Sequence, residues 1–75
     1  MRPIQIAITI GDSQFYKVCD TLGEAVKTIF DVHKAFPAHH ADMPLDQIIL
    51  RAVDISNGRT SNPWSGPVLW IGEED

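Results

Sequence analysis

The chain has 75 residues, 44% apolar and 21% charged, with ten Asp/Glu against six Lys/Arg and a formal net charge of −4. This ordinary globular usage excludes a disordered tail, a collagen-like repeat and a polybasic arm. No apolar run approaches the ~18 residues of a membrane span, Met1-Arg2-Pro3 leads into an alternating segment rather than a signal-peptide core, and the length suits a single domain over 1–75.

Residues 2–10 predict a strand, because Ile4, Ile6, Ile8 and Ile10 alternate with Gln5, Ala7 and Thr9. Gly11-Asp12-Ser13 is a turn signal, and Phe15–Cys19 predicts the second strand of a hairpin. Loop length decides which of its faces turns inward. A three-residue loop places Tyr16 and Val18 beside the isoleucines, and an even loop places Phe15 and Cys19 there. Residues 21–36 predict a helix. Thr21-x-x-Glu24 has capping-box spacing, and Leu22, Val26, Ile29, His33 and Phe36 recur on one side, with Ala25 and Val32 beside them. Glu24, Lys27, Asp31 and Lys34 fall at separations that allow opposite charges to pair on the far side. Pro37 ends the run.

Residues 37–46 read as a loop between Pro37 and Pro44. In the next segment, Leu45, Ile48, Ile49, Ala52 and Val53 fit a helix, yet Ile48, Ile49, Leu50, Val53 and Ile55 are strand formers, and Asn57-Gly58 is a hairpin signal. The segment 47–56 is therefore read as a strand. Residues 57–66 are a polar, turn-rich loop, 67–72 a last strand, and 73–75 an acidic tail. The expected fold is α+β, a β-β-α-β-β two-layer sandwich with one helix packed on a four-stranded antiparallel sheet. The helix covers one face and leaves the other open to water, a second copy or a partner.

Cys19 is the only cysteine, so no intrachain disulfide exists and a cytoplasmic, reducing compartment is expected. The cations Arg2, Lys17, Lys27, Lys34, Arg51 and Arg59 are scattered, which disfavours direct nucleic-acid binding. His39, His40 and Asp42 are of metal-ligand type, but adjacent histidines point apart in extended backbone, and zinc needs three or four convergent ligands. They stand as weak metal candidates, and no cofactor is expected. Cys19 has no nucleophile motif around it, and Gly11 and Gly23 form no phosphate loop. Pro3-Ile4-Gln5-Ile6-Ala7-Ile8 resembles the opening strand of the small tautomerases, whose base is an N-terminal proline. Here the proline is third, and a hairpin rather than a crossover helix follows.

The interaction candidates are Arg59 and Trp64 in the long 57–66 loop, Trp70 in the last strand, and the tail Glu73, Glu74 and Asp75. The leading expectation is a non-enzymatic protein-binding module. In its element order and acidic tail the chain is similar in general form to phage-encoded inhibitors of host nucleic-acid machinery, such as anti-CRISPR and anti-restriction proteins. That likeness implies a basic nucleic-acid-binding surface as partner. The alternatives are a homodimeric regulatory or accessory subunit, and a small metal-binding protein using the His39/His40/Asp42 loop.

Overall fold

The computed structural model describes residues 2–74. Strands β1 (Ile4–Ile10) and β2 (Ser13–Cys19) are followed by helices α1 (Leu22–Ala35) and α2 (Leu45–Ser56), then by β3 (Trp64–Ser65) and β4 (Leu69–Glu73). The sheet is antiparallel throughout, in the order β2-β1-β4-β3. The α+β class and the four-stranded antiparallel sheet are as expected. The single helix is not, because two helices pack on the sheet.

The β1–β2 hairpin closes through two residues. Ile10 pairs with Ser13, and Gly11 sits at φ 59° while Asp12 stays at negative φ. Positive φ at the first central position alone is type II′ geometry, which glycine adopts without strain. The even loop puts Cys19, Lys17 and Phe15 beside Ile4, Ile6 and Ile8, on the helix side. Gln14, Tyr16 and Val18 therefore occupy the opposite face together with Gln5, Ala7 and Thr9.

Helix α1 starts as its sequence predicts. The Thr21 hydroxyl accepts from the Glu24 amide at 3.1 Å. The helix buries Ala25, Thr28, Ile29 and Val32, while Val26 and His33 are half-buried, so its inward line is rotated from the expected one. Among the described residues, Glu24, Lys27, Asp31 and Lys34 form no ion pair. Thr28 is tolerated inside because its hydroxyl donates to the Glu24 carbonyl at 2.9 Å and accepts from Lys17 Nζ at 3.2 Å. Thr21→Ala is expected to destabilise the protein by about 1 kcal/mol in urea melts. An unchanged midpoint would show that the hydroxyl does not hold the first turn.

The segment expected as a strand over 47–56 is α2. Its buried residues are Ile48, Ala52, Ile55 and Ser56, a helical spacing. Asn57-Gly58, read as a hairpin turn, is instead the helix terminus. Gly58 at φ 73° donates to Ile55 O at 3.1 Å, and Arg59 donates to Asp54 O at 2.8 Å. These are the paired bonds of a Schellman cap, which satisfy two of the final carbonyls. The fourth strand comes instead from the short β3. Arg51, on α2, holds the residues just before it by donating to the Asn62 and Pro63 carbonyls at 3.2 and 3.0 Å.

Ile4, Ile6, Ile29, Ile48, Ile55, Leu69 and Ile71 are essentially inaccessible and form one core between the helices and the sheet. Every buried side-chain polar atom among the described residues is hydrogen-bonded. Cys19 is a free thiol inside this core, 3.9 Å from Thr28 Oγ1. No helix in the described residues is long and apolar enough to cross a membrane.

Candidate functional site

Both helices contribute to the core on one side of the sheet, leaving its other face uncovered. Strand register dictates what that face displays. Tyr16 of β2 pairs with Ala7 of β1, Ala7 pairs with Trp70 of β4, and Trp70 pairs with Ser65 of β3. Residues directly opposite one another share a face. The result is a transverse row of two aromatic side chains flanking a single methyl group. The small Ala7 makes the middle of the row low, and a hollow of about 400 Å³ lies there, also bordered by Gln5, Thr9 and Gln14.

The two aromatic walls are held differently. Tyr16 is 62% exposed, and its hydroxyl donates to Gln14 Oε1 at 2.6 Å along the same strand. Trp70 is half-buried and leans lengthwise over Gly72. A Cβ built on Gly72 would lie 2.6 Å from Trp70 Cζ2, so the absence of a side chain there gives the indole its seat. The face carries amides, hydroxyls and apolar groups, with no charged residue in the hollow's lining. Aromatic side chains on a sheet can stack nucleic-acid bases. Such binding also needs cations along the backbone path. The cation of β2, Lys17, is on the opposite side and bonded to Thr28.

The sequence-derived candidates disperse. Trp70 stands on the open face. Trp64 pairs with Ile71 on the helix side, packs against the core and lies over Gly66, where a Cβ would meet its Cη2 at 2.5 Å. It serves as a cover for the core rather than as a projecting anchor. Arg59 is exposed and 3.5 Å from Asp54. Glu73 is half-buried and ion-paired with Arg2, near the C-terminal end of α2, where the Arg2 amide donates to Ser56 O at 3.1 Å. Glu74 is exposed, and its amide donates to Pro3 O at 3.2 Å. Asp75 lies outside the described residues. Sequence reasoning missed Tyr16, Gln14 and Gln5 as a group. The signal was Gly11 at the first turn position, which favours a two-residue loop and settles the facing of β2.

The histidines do not converge on a metal. His40 stacks on His33 with ring centroids 4.0 Å apart, and one of its ring nitrogens bonds the His33 carbonyl at 2.8 Å. His39 meets Phe36 edge-on at 6.4 Å and stands 3.7 Å from Asp42. The adjacent histidines take different partners from a 3₁₀ turn, Pro37–Asp42, rather than from the extended loop expected over 37–46, and they fasten that turn onto the end of α1. Among the described residues no group of three or more His, Cys, Asp or Glu could hold a metal ion. In comparisons with known proteins, no family model, no curated protein and no solved structure matches the chain.

Proposed function

We propose that the chain is a non-enzymatic protein-binding module whose partner docks on the open sheet face. The observation that carries this reading is the uncharged row Tyr16–Ala7–Trp70–Ser65, a hollow with aromatic walls and an amide and hydroxyl rim. Aromatic anchors beside adaptable polar groups are the usual chemistry of protein interfaces. The narrower reading, an inhibitor of phage type that blocks a basic nucleic-acid channel, is supported by the net charge of −4 alone. With Glu73 paired to Arg2 on the helix side, that reading would draw on other carboxylates than the aromatic face offers. A reducing cytoplasm suits a free, buried Cys19.

The test is capture from lysate on immobilised protein, followed by titration of the captured partner against wild type and Trp70→Ser. Trp70→Ser is expected to weaken binding by about 30-fold or more, the effect of removing an interface hot spot. An unchanged affinity would place the contact elsewhere. If the partner is a nucleic-acid-handling protein, the chain should also compete with its nucleic acid, and co-binding without competition would rule out the inhibitor version.

A further inference from the structure

The two edges of the sheet are unlike. At one edge, β3 is only two residues long and follows Pro63, a blunt end that offers little to pair with. At the other, β2 runs for seven residues, Ser13–Cys19, without proline, and all but Cys19 are exposed. In a two-residue hairpin the residues flanking the turn form a hydrogen-bonded pair, and bonded pairs then alternate along the ladder. Ser13, Phe15, Lys17 and Cys19 therefore bond inward to β1. The amides and carbonyls of Gln14, Tyr16 and Val18 point away from the sheet. Phe15, Tyr16 and Val18 along this edge are 56%, 62% and 44% exposed. The single lysine, Lys17, has its ammonium on the Thr28 hydroxyl.

We propose that β2 pairs antiparallel with β2 of a second copy about a twofold axis at Tyr16, making one continuous eight-stranded sheet. This stands apart from what the open face binds. The register follows from the strand itself. Outward-facing residues must meet outward-facing residues, and Tyr16 is the midpoint of Ser13–Cys19, so only this axis pairs all seven positions. It sets Gln14 against the partner's Val18, and Phe15 against the partner's Lys17 on the helix side. An axis two residues toward either strand end shortens the pairing, and an axis at Lys17 opposes two ammonium groups.

Charge supports a second copy as the occupant. Phe15 and Asp31 border the same apolar groove, of about 470 Å³, between α1 and the hairpin. The partner's Lys17, set opposite Phe15, can turn from its Thr28 hydroxyl to the exposed carboxylate of Asp31, and the twofold makes that pair twice. Spacing supports it also. Helix α1 touches both β1 and β2. Its symmetry mate would lie about two strand spacings away, ~10 Å, near the ~8–10 Å of packed helices. The facing side of α1, with Lys27 and Asp31, carries both signs of charge.

Sedimentation equilibrium of the full chain tests this. Wild type is expected to be a dimer at tens of micromolar. Tyr16→Pro removes an outward amide and no bond to β1, so it should give a monomer with wild-type circular dichroism. Asp31→Lys should weaken dimerisation by about ten-fold through like-charge opposition, and Lys17→Glu with Asp31→Lys should restore it. A wild-type monomer at that concentration overturns the proposal, as does a dimer indifferent to both Tyr16→Pro and Asp31→Lys. If Tyr16→Pro fails to fold, the charge-swap pair decides alone. Oligomeric state and partner capture are separate readouts, so loss of one leaves the other standing.

Discussion

Ile48→Ala is expected to cost about 2–5 kcal/mol, while Leu50→Ala costs less than about 0.5 kcal/mol. Ile48 is fully buried and Leu50 is 61% exposed, two positions apart on α2. The contrast is a test of secondary structure as well as of packing. In a strand, residues 48 and 50 share a face and their truncations should cost similar amounts. In a helix they stand about 200° apart, and only one faces the core. Urea melts of both variants provide the measurement. A chain of this size has a total stability of roughly 4–11 kcal/mol, so Ile48→Ala at the upper end would leave little folded protein. Equal midpoint shifts for the two variants would overturn the helical assignment.

Gly72→Ala is expected to be the most damaging single-methyl addition on the sheet, at about 1–3 kcal/mol. Gly72 is buried in β4, and the Trp70 indole occupies the space a Cβ would take. The added methyl pushes the ring off the sheet or bends the strand. Near-ultraviolet circular dichroism should report the displaced indole, and stability should fall with it. Combining Gly72→Ala with Trp70→Leu removes the collision, so the double variant should be more stable than the sum of the two single effects by about 0.5–3 kcal/mol. Strict additivity would mean that ring and glycine are not in contact. The variant also probes the site. A displaced indole changes the wall of the hollow without changing its charge.

β1, β2, α1 and β4 were legible because each has a local, periodic pattern that burial reinforces. The isoleucines of β1 read at period two, and Thr21 and Pro37 bracket α1. α2 was not legible, because both cues used for it were ambiguous. Ile48, Ile49, Val53 and Ile55 are strand formers by intrinsic preference, but the packing of Ile48, Ala52 and Ile55 against β1 and β4 overrides that preference. Asn57-Gly58 supplies a positive φ, which a hairpin turn and a helix C-terminus both require, and only the surrounding hydrogen bonds distinguish them. β3 has no periodicity to read in two residues. The open face was foreseen, and only the number of helices opposite it differs. One helix was expected on one face of the sheet, and two helices share that face and leave the other bare. Its make-up depended on the parity of one turn, which propensities alone left undecided. The stacking of His33 on His40 joins two elements and had no sequence signature.

The sheet order β2-β1-β4-β3 carries a kinetic consequence. β1 and β4 lie side by side at its centre, yet more than fifty residues separate them along the chain, with Ile6 against Ile71 and Ile8 against Leu69. The hairpin and both helices are local and form early, within microseconds to milliseconds. The β1–β4 ladder closes a loop that contains nearly everything else, and its entropy must be met before those contacts stabilise anything. Until β4 joins, β1 therefore has one edge unpaired. That bare, isoleucine-rich edge at the centre of the sheet is where a partly folded chain is least protected against self-association.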